Sequence, residues 1–201
     1  DLPGVWKDLD MPSGHAYGKS IRTVKTCVGS EFCRFGTQNS TQMGIDLEHA
    51  LFNMWSPHKV KLAVSGCPRN CAESGIKDVG IIGVDSGWEL YIGGNGGIKT
   101  EAGEFFVKVK SAEEVMEYSL AFLQLYREEA FYLERTVHYM QRVGMDHIKK
   151  AVLNDAERRK ALHQRLLFSL SFEQDPWQEQ LSKPQLKKEF DRIAVKQLEN
   201  A

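Results

Sequence analysis

Glycine divides this chain into two unlike parts: sixteen of its seventeen glycines lie at or before Gly103, and only Gly144 lies beyond. Glycine supports tight turns and close backbone approaches and weakens helix interiors. The first part is therefore expected to be turn-rich and sheet-based, and the second helical. The stretches IRTVKTCV, HKVKLAVSG, KDVGIIGVD, WELYIGG and EFFVKVK are rich in β-branched and aromatic residues and bounded by Gly, Asp, Ser and Pro, which predicts strands. Between the first two, NSTQMGIDLEHALFNMW predicts a helix ending before Pro57.

From Ser111 onward helical spacing takes over. Ser111 and Glu114 form a capping-box pattern, and Val115, Tyr118, Phe122 and Leu125 recur at helical intervals, predicting a helix to about Phe131. Asn154 with Glu157 repeats the device ahead of Leu162, Leu166 and Leu170. The aromatics Phe122, Tyr126, Phe131 and Tyr132 are read as core. The polar tail from Gln174, interrupted by Pro176 and Pro184, reads as a packing arm or partner contact. The fold class expected is α+β, a mixed β-sheet flanked by helices with a helical C-terminal extension. Residues 1–110 form the α/β part and 111–201 the helical part of the same domain.

A chain of 201 residues is long enough to bury a core without staples. Its net charge of −1 gives no electrostatic footprint for nucleic acid. No apolar run reaches membrane-spanning length and no signal-peptide pattern opens the chain, so a cytoplasmic protein with no membrane or nucleic-acid partner is expected. The start lacks an initiator Met, and the chain is expected to be a piece of a longer one.

The four cysteines form two pairs, Cys27 with Cys33 and Cys67 with Cys71, each following a predicted strand. Neighbouring strand ends would gather all four thiols. Paired disulfides suit a secreted protein. Structural zinc usually takes tight spacing in both halves, and the first pair is wider. Inert buried thiols would not need this pairing. A [4Fe–4S] cube, which needs one thiolate at each corner, is the favoured reading of the four.

The segment TCVGSEFCRFGTQNS followed by KLAVSGCPRNCAESGIKDVGIIG resembles the paired cysteine motif of siroheme-containing nitrite and sulfite reductases. VDSGWELYIGGNGGIKTE and AFLQLYREEAFYLERTVHYMQRVGMDHIKK are similar to one branch, the large subunits of assimilatory NAD(P)H-dependent nitrite reductases. The resemblance implies that Cys27, Cys33, Cys67 and Cys71 hold one [4Fe–4S] cluster and that Cys71 also bridges to the siroheme iron. It implies six-electron reduction of nitrite to ammonium, with electrons from NAD(P)H through upstream FAD and [2Fe–2S] regions. The alternatives are an assimilatory sulfite reductase domain or a non-catalytic zinc or scaffold module. The partners it implies are nitrite, upstream domains of the same chain, a small reductase subunit and a homodimeric mate.

Siroheme is ringed with carboxylates, so its pocket should be rich in cations and amides. Arg34, Arg69 and Asn70 are the residues expected to bind it, and Lys25 and Arg22 are the catalytic candidates for the anion. Pro68 suits a tight loop after Cys67, and amides of residues 69–73 would point at the sulfurs if they open a short helix. GGNGG, Gly93–Gly97, is not a phosphate loop; it is a turn or a close approach to the siroheme rim. The six histidines, His15, His49, His58, His138, His147 and His163, lack ligand spacing and are read as structural or surface.

Overall fold

The computed structural model describes residues 2–10, 19–172, 175–183 and 185. A five-stranded sheet in the order β1-β2-β3-β4-β5 carries the first part. Its strands are β1 Lys25–Thr26, β2 Leu62–Ser65, β3 Val79–Val84, β4 Gly87–Ile92 and β5 Glu104–Val109. Strands β1, β2 and β3 run parallel, while β4 and β5 return antiparallel. The helices are α1 Leu2–Asp8, α2 Gly29–Phe32, α3 Ser40–Leu51, α4 Ala112–Glu129, α5 Thr136–Val143, α6 Met145–Val152, α7 Ala156–Leu170 and α8 Pro176–Ser182.

Contacts divide the chain into a body of Ala16–Ser171 and a second unit of Asp1–His15 with Phe172–Ala201. In the second unit α1 packs against α8, whose N-cap Asp175 accepts from the backbone of Trp177 and Gln178. The compositional change near residue 110 falls inside the larger body, where β5 hands over to α4.

The parallel strands β2 and β3 are buried nearly throughout, as strands covered on both faces should be. Helix α3 packs on β1 and β2, α4 on β4, and α7 on α4. Val115, Leu120, Phe122, Leu125 and Tyr126 of α4 are at most 1% exposed, and burying each large apolar side chain stabilises by about 1.5–3 kcal/mol. The helix begins where Ser111 and Glu114 close a reciprocal capping box.

Several expectations shift by a few residues. Helix α3 stops at Leu51, not at Trp55, because Phe52 leaves the helical dihedrals (ψ 131°) and Asn53 takes a left-handed conformation (φ 59°). Its start is capped by Asn39, whose Oδ1 accepts from the Gln42 amide at 3.0 Å. The cap of α7 is Asp155, accepting from the Arg158 amide at 2.8 Å; Asn154 instead donates its N–H to Lys149 O and closes α6. Helix α4 ends at Glu129 with an extended Ala130, so Phe131 and Tyr132 fall in a turn and are 63% and 73% exposed. Phe122 and Tyr126 are core as expected; Phe131 and Tyr132 are not, because the chain leaves the helix before reaching them.

One buried charge joins the sheet to the helices. Asp78, 1% exposed, enters β3 and accepts both from Arg135 at 3.0 Å and from the Lys61 amide at 2.8 Å. Thr136, the first residue of α5, donates its hydroxyl to the same carboxylate.

Candidate functional site

Parallel pairing of β1 with β2 puts the C-terminal ends of both strands at one end of the sheet, and each strand leads into a cysteine pair. Cys27 donates its amide to Val64 O at 3.3 Å, continuing the β1–β2 ladder by one residue. Beyond it the two loops touch backbone to backbone. A Cβ on Gly66 would lie 2.8 Å from Gly29 Cα and 2.8 Å from Gln38 O, distances that side chains do not tolerate. Gly29 itself has φ +62°, the left-handed region that favours glycine. Glycine at these two positions lets the first cysteine loop close onto the second.

Hydrogen bonds fasten that closure. Thr37 and Gln38 both donate their amides to Gly66 O, at 2.8 and 3.0 Å, and Ser30 donates to Gln38 O at 3.0 Å. Cys27 Sγ accepts from the Gly66 amide at 3.1 Å and lies 3.2 Å from Ser40 Oγ. Burial pushes the Cys27 thiol up, but the hydrogen bonds from Ser40, Gly66 and Gly29 outweigh it and leave it below the ordinary thiol value.

Cys33 is the C-cap of the short helix α2 and donates to Gly29 O at 2.9 Å. The second loop is a chain of turns: Asn70 N–H to Cys67 O at 3.1 Å, then Glu73 N–H to Asn70 O at 2.9 Å. Residues 69–73 do not open a helix, because Asn70 (φ 55°) and Glu73 (φ 60°) are left-handed; a single 3-10 turn follows at Ser74–Ile76. The amides of Asn70, Ala72 and Glu73 bond within the loop itself. The amides turned toward a cysteine sulfur come from elsewhere, that of Gly66 at 3.1 Å from Cys27 Sγ and that of Gly29 beside it.

Asn70 stands at the loop's centre, its Oδ1 accepting from the Gly75 amide at 3.2 Å and from Ser65 Oγ at 3.3 Å. Arg69 and Arg34 come from different loops, yet both guanidiniums rest on the Phe35 ring, 3.9 and 4.5 Å from its centroid. Lys25, half exposed, pairs with Glu73 at 2.9 Å, and Lys77 reaches the same carboxylate at 3.1 Å. The two lysines hold the Glu73 carboxyl below the usual range. Arg22 lies upstream, where its amide donates to Val60 O at 2.8 Å. Of the expected residues, Lys25, Arg34, Arg69 and Asn70 thus belong to the cysteine loops or contact them, and Arg22 sits farther back along the same strand edge.

All four cysteines are free thiols; Cys67 is buried, Cys27 and Cys33 are half-buried, and Cys71 is exposed. Val28, Phe32 and Phe35 around the first pair are also exposed, at 55%, 75% and 43%. Among the described residues no three His, Cys, Asp or Glu side chains converge as ligands of a single metal ion. Four free thiols on two interlocked loops are of the type and number that a [4Fe–4S] cluster takes, one thiolate to each iron.

In comparison with known proteins, residues 17–160 match the family of nitrite and sulphite reductase 4Fe-4S domains. The chain belongs to that family. It is 59% identical over 196 residues to the NAD(P)H nitrite reductase of Bacillus subtilis, covering 97% of this chain and 24% of the relative. The large subunit of the Klebsiella oxytoca NAD(P)H nitrite reductase is 39% identical over 92% of this chain and 20% of its own length. The chain therefore spans about a quarter of the length of the curated relatives it matches. The fold is shared with a dissimilatory sulfite reductase I (TM-score 0.62, 15% identity, 73% of this chain and 55% of the other). It is shared also with the NirA protein of Mycobacterium tuberculosis (TM-score 0.61, 18% identity, 75% and 30%).

For this member of the nitrite and sulphite reductase 4Fe-4S family, residue spacing found the cysteines but not what joins them. Gly29, Gly66, Ser40, Phe35 and Glu73 were missed. The available signal was a glycine next to each pair, in CVG and SGC. The GGNGG stretch is structural on its first half: Gly93 (φ +74°) meets Met140 and Gly94 meets the backbone of Ile76 and Lys77. Glu101 and Asn95 then pair as an isolated bridge. Among the described residues no helix is long and apolar enough to cross a membrane. His15 lies outside the described residues.

Proposed function

We propose that this chain is the siroheme- and [4Fe–4S]-binding part of an assimilatory NAD(P)H-dependent nitrite reductase. The observation that carries the reading is the interlocked pair of loops bearing four free cysteines, in a chain so similar to a named nitrite reductase. Cys27, Cys33, Cys67 and Cys71 would ligate the cluster, and Cys71, the exposed one, would share its sulfur with the siroheme iron. When bound, the two cofactors supply the six electrons that take nitrite to ammonium.

The protein's own part is position and charge. The backbone-locked loops fix the sulfurs, and the exposed Phe32 and Phe35 offer apolar surface beside them. Arg34 and Arg69, oriented by stacking on Phe35, present cations to siroheme carboxylates, with Asn70 shaping the loop between them. Lys25, and Arg22 behind it, serve the anion. In the resting arrangement Glu73 occupies Lys25, so that lysine becomes available to an anion when the surface ion pair opens, which costs little. FAD and NAD(P)H belong to upstream domains of the same longer chain. A small reductase subunit, a homodimer and a cytoplasmic setting complete the reading.

The test is Cys71→Ser in the full-length protein. Nitrite reduction should be lost, together with the magnetic coupling between cluster and siroheme iron; a variant that keeps both removes Cys71 from its role.

A further inference from the structure

We infer that Ser40 is a positioning residue for Cys27: its hydroxyl donates a hydrogen bond to the Cys27 sulfur of the loaded cluster and thereby raises the cluster's reduction potential. The inference rests on the four-cysteine ligand reading and adds a residue to it. Ser40 is fully buried at the start of α3, and its Oγ stands 3.2 Å from Cys27 Sγ and 2.9 Å from Cys27 O.

A serine hydroxyl has one proton and two neighbours here. With a free thiol, the sulfur can supply the proton for the Sγ–Oγ contact while Ser40 donates to Cys27 O. A metal-bound thiolate has no proton and can only accept. Were Ser40 to keep donating to the carbonyl, its oxygen lone pairs would face an electron-rich sulfur at contact distance. Turning the hydroxyl onto sulfur removes that conflict. It does not abandon the carbonyl, because Thr41 Oγ1 stands 3.4 Å from Cys27 O and is already a donor to it.

The Gly66 amide approaches the same sulfur at 3.1 Å, so Cys27 would accept from the backbone as well as from a side chain. Hydrogen bonds to ligand sulfur favour the more electron-rich, reduced cluster and so raise its potential. The backbone donor cannot be removed by substitution, but the hydroxyl can. Ser40 is thus the position at which the sequence sets this part of the potential.

The test is an anaerobic redox titration of the full-length holoprotein, followed by electron paramagnetic resonance. Ser40→Ala should hold its iron and sulfide yet titrate at a lower midpoint potential. Thr41→Val, which removes a donor that reaches only the carbonyl, should titrate with the unsubstituted protein, and Ser40→Thr should restore the original value. A Ser40→Ala protein with a full cluster at unchanged potential overturns the inference. An unsubstituted protein that carries no cluster overturns the ligand reading beneath it, which is a distinguishable result. Should Ser40→Ala fail to hold the cluster, unsubstituted protein produced in D2O gives the second readout. Its iron–sulfur stretching bands should shift, and bands indifferent to deuterium would count against any donor at that sulfur.

Discussion

The cysteine end of the sheet and the helical part around α4 are held together in opposite ways. At the cysteine end, cohesion is in the backbone: Gly29 against Gly66, and the amides of Thr37 and Gln38 on a single carbonyl. Some of its side chains are left outward, Cys71 and Phe32 among them, while Cys67 is buried. Around α4, cohesion is in buried side chains such as Phe122, Leu125, Tyr126 and Tyr139, which a close-packed interior needs. On the proposed reading the cysteine end receives a large group and so cannot fill itself with its own side chains; main-chain contact fixes it instead. The helical part fills its interior with its own side chains.

The buried pair that joins the sheet to the helices, at the end of the strands away from the cysteines, is the most sensitive place to break. Asp78→Ala leaves the Arg135 guanidinium, the Thr136 hydroxyl and the Lys61 amide without their shared carboxylate. Removing one partner of a buried pair costs about 3–5 kcal/mol, so urea denaturation should show the largest loss here. A loss below about 1 kcal/mol would mean that the pair behaves as a surface one.

Gly66→Ala separates the regions more sharply. Its Cβ meets main-chain atoms, not a yielding side chain, so the loops must part, at about 1–3 kcal/mol. Cluster content should collapse while the helical far-ultraviolet signal persists. Retention of a full cluster in this variant would show that the close glycine contact is not what seats the sulfurs.

The smallest expected effect lies on the helical surface, where Arg165 grips Glu128 through two bonds of 2.7 and 2.9 Å. Arg165, with a lesser opposing effect of burial, holds the Glu128 carboxyl below the usual range. A carboxyl depressed in the folded state contributes stability that is complete above the ordinary carboxylate value and disappears as pH falls toward the folded value. Both side chains are more than a third exposed, so the contribution is about 0.2–1 kcal/mol. The Arg165→Gln protein should lose less stability than the unsubstituted one as pH falls below the ordinary carboxylate value, and the difference should shrink in high salt.

The sequence showed what is local and hid what is not. Runs of β-branched and aromatic residues between turn residues located the five strands of the sheet, helical spacing located α4, and the Ser111–Glu114 pattern located its start, because these depend on neighbours in the chain. The cysteine pairs were legible as spacing for the same reason. Asn154 and Asp155 are both good caps, and only the geometry of the α6–α7 turn chooses between them. Phe131 and Tyr132 continue the aromatic run in sequence but not in space. The Asp78–Arg135 pair and the Gly29–Gly66 contact join residues far apart in the chain, and no periodicity marks such partners. Ser40 was read only within a helix-start segment, while its side chain faces a sulfur from another element.

The most direct test of the four-thiolate seat is iron, sulfide and zinc analysis of the full-length protein purified without oxygen, beside each Cys→Ser variant. The account predicts about four irons and as many acid-labile sulfides per chain at this site, lost on substitution of Cys27, Cys33, Cys67 or Cys71. One zinc per chain with no sulfide at this site, or a cluster indifferent to all four substitutions, would contradict it.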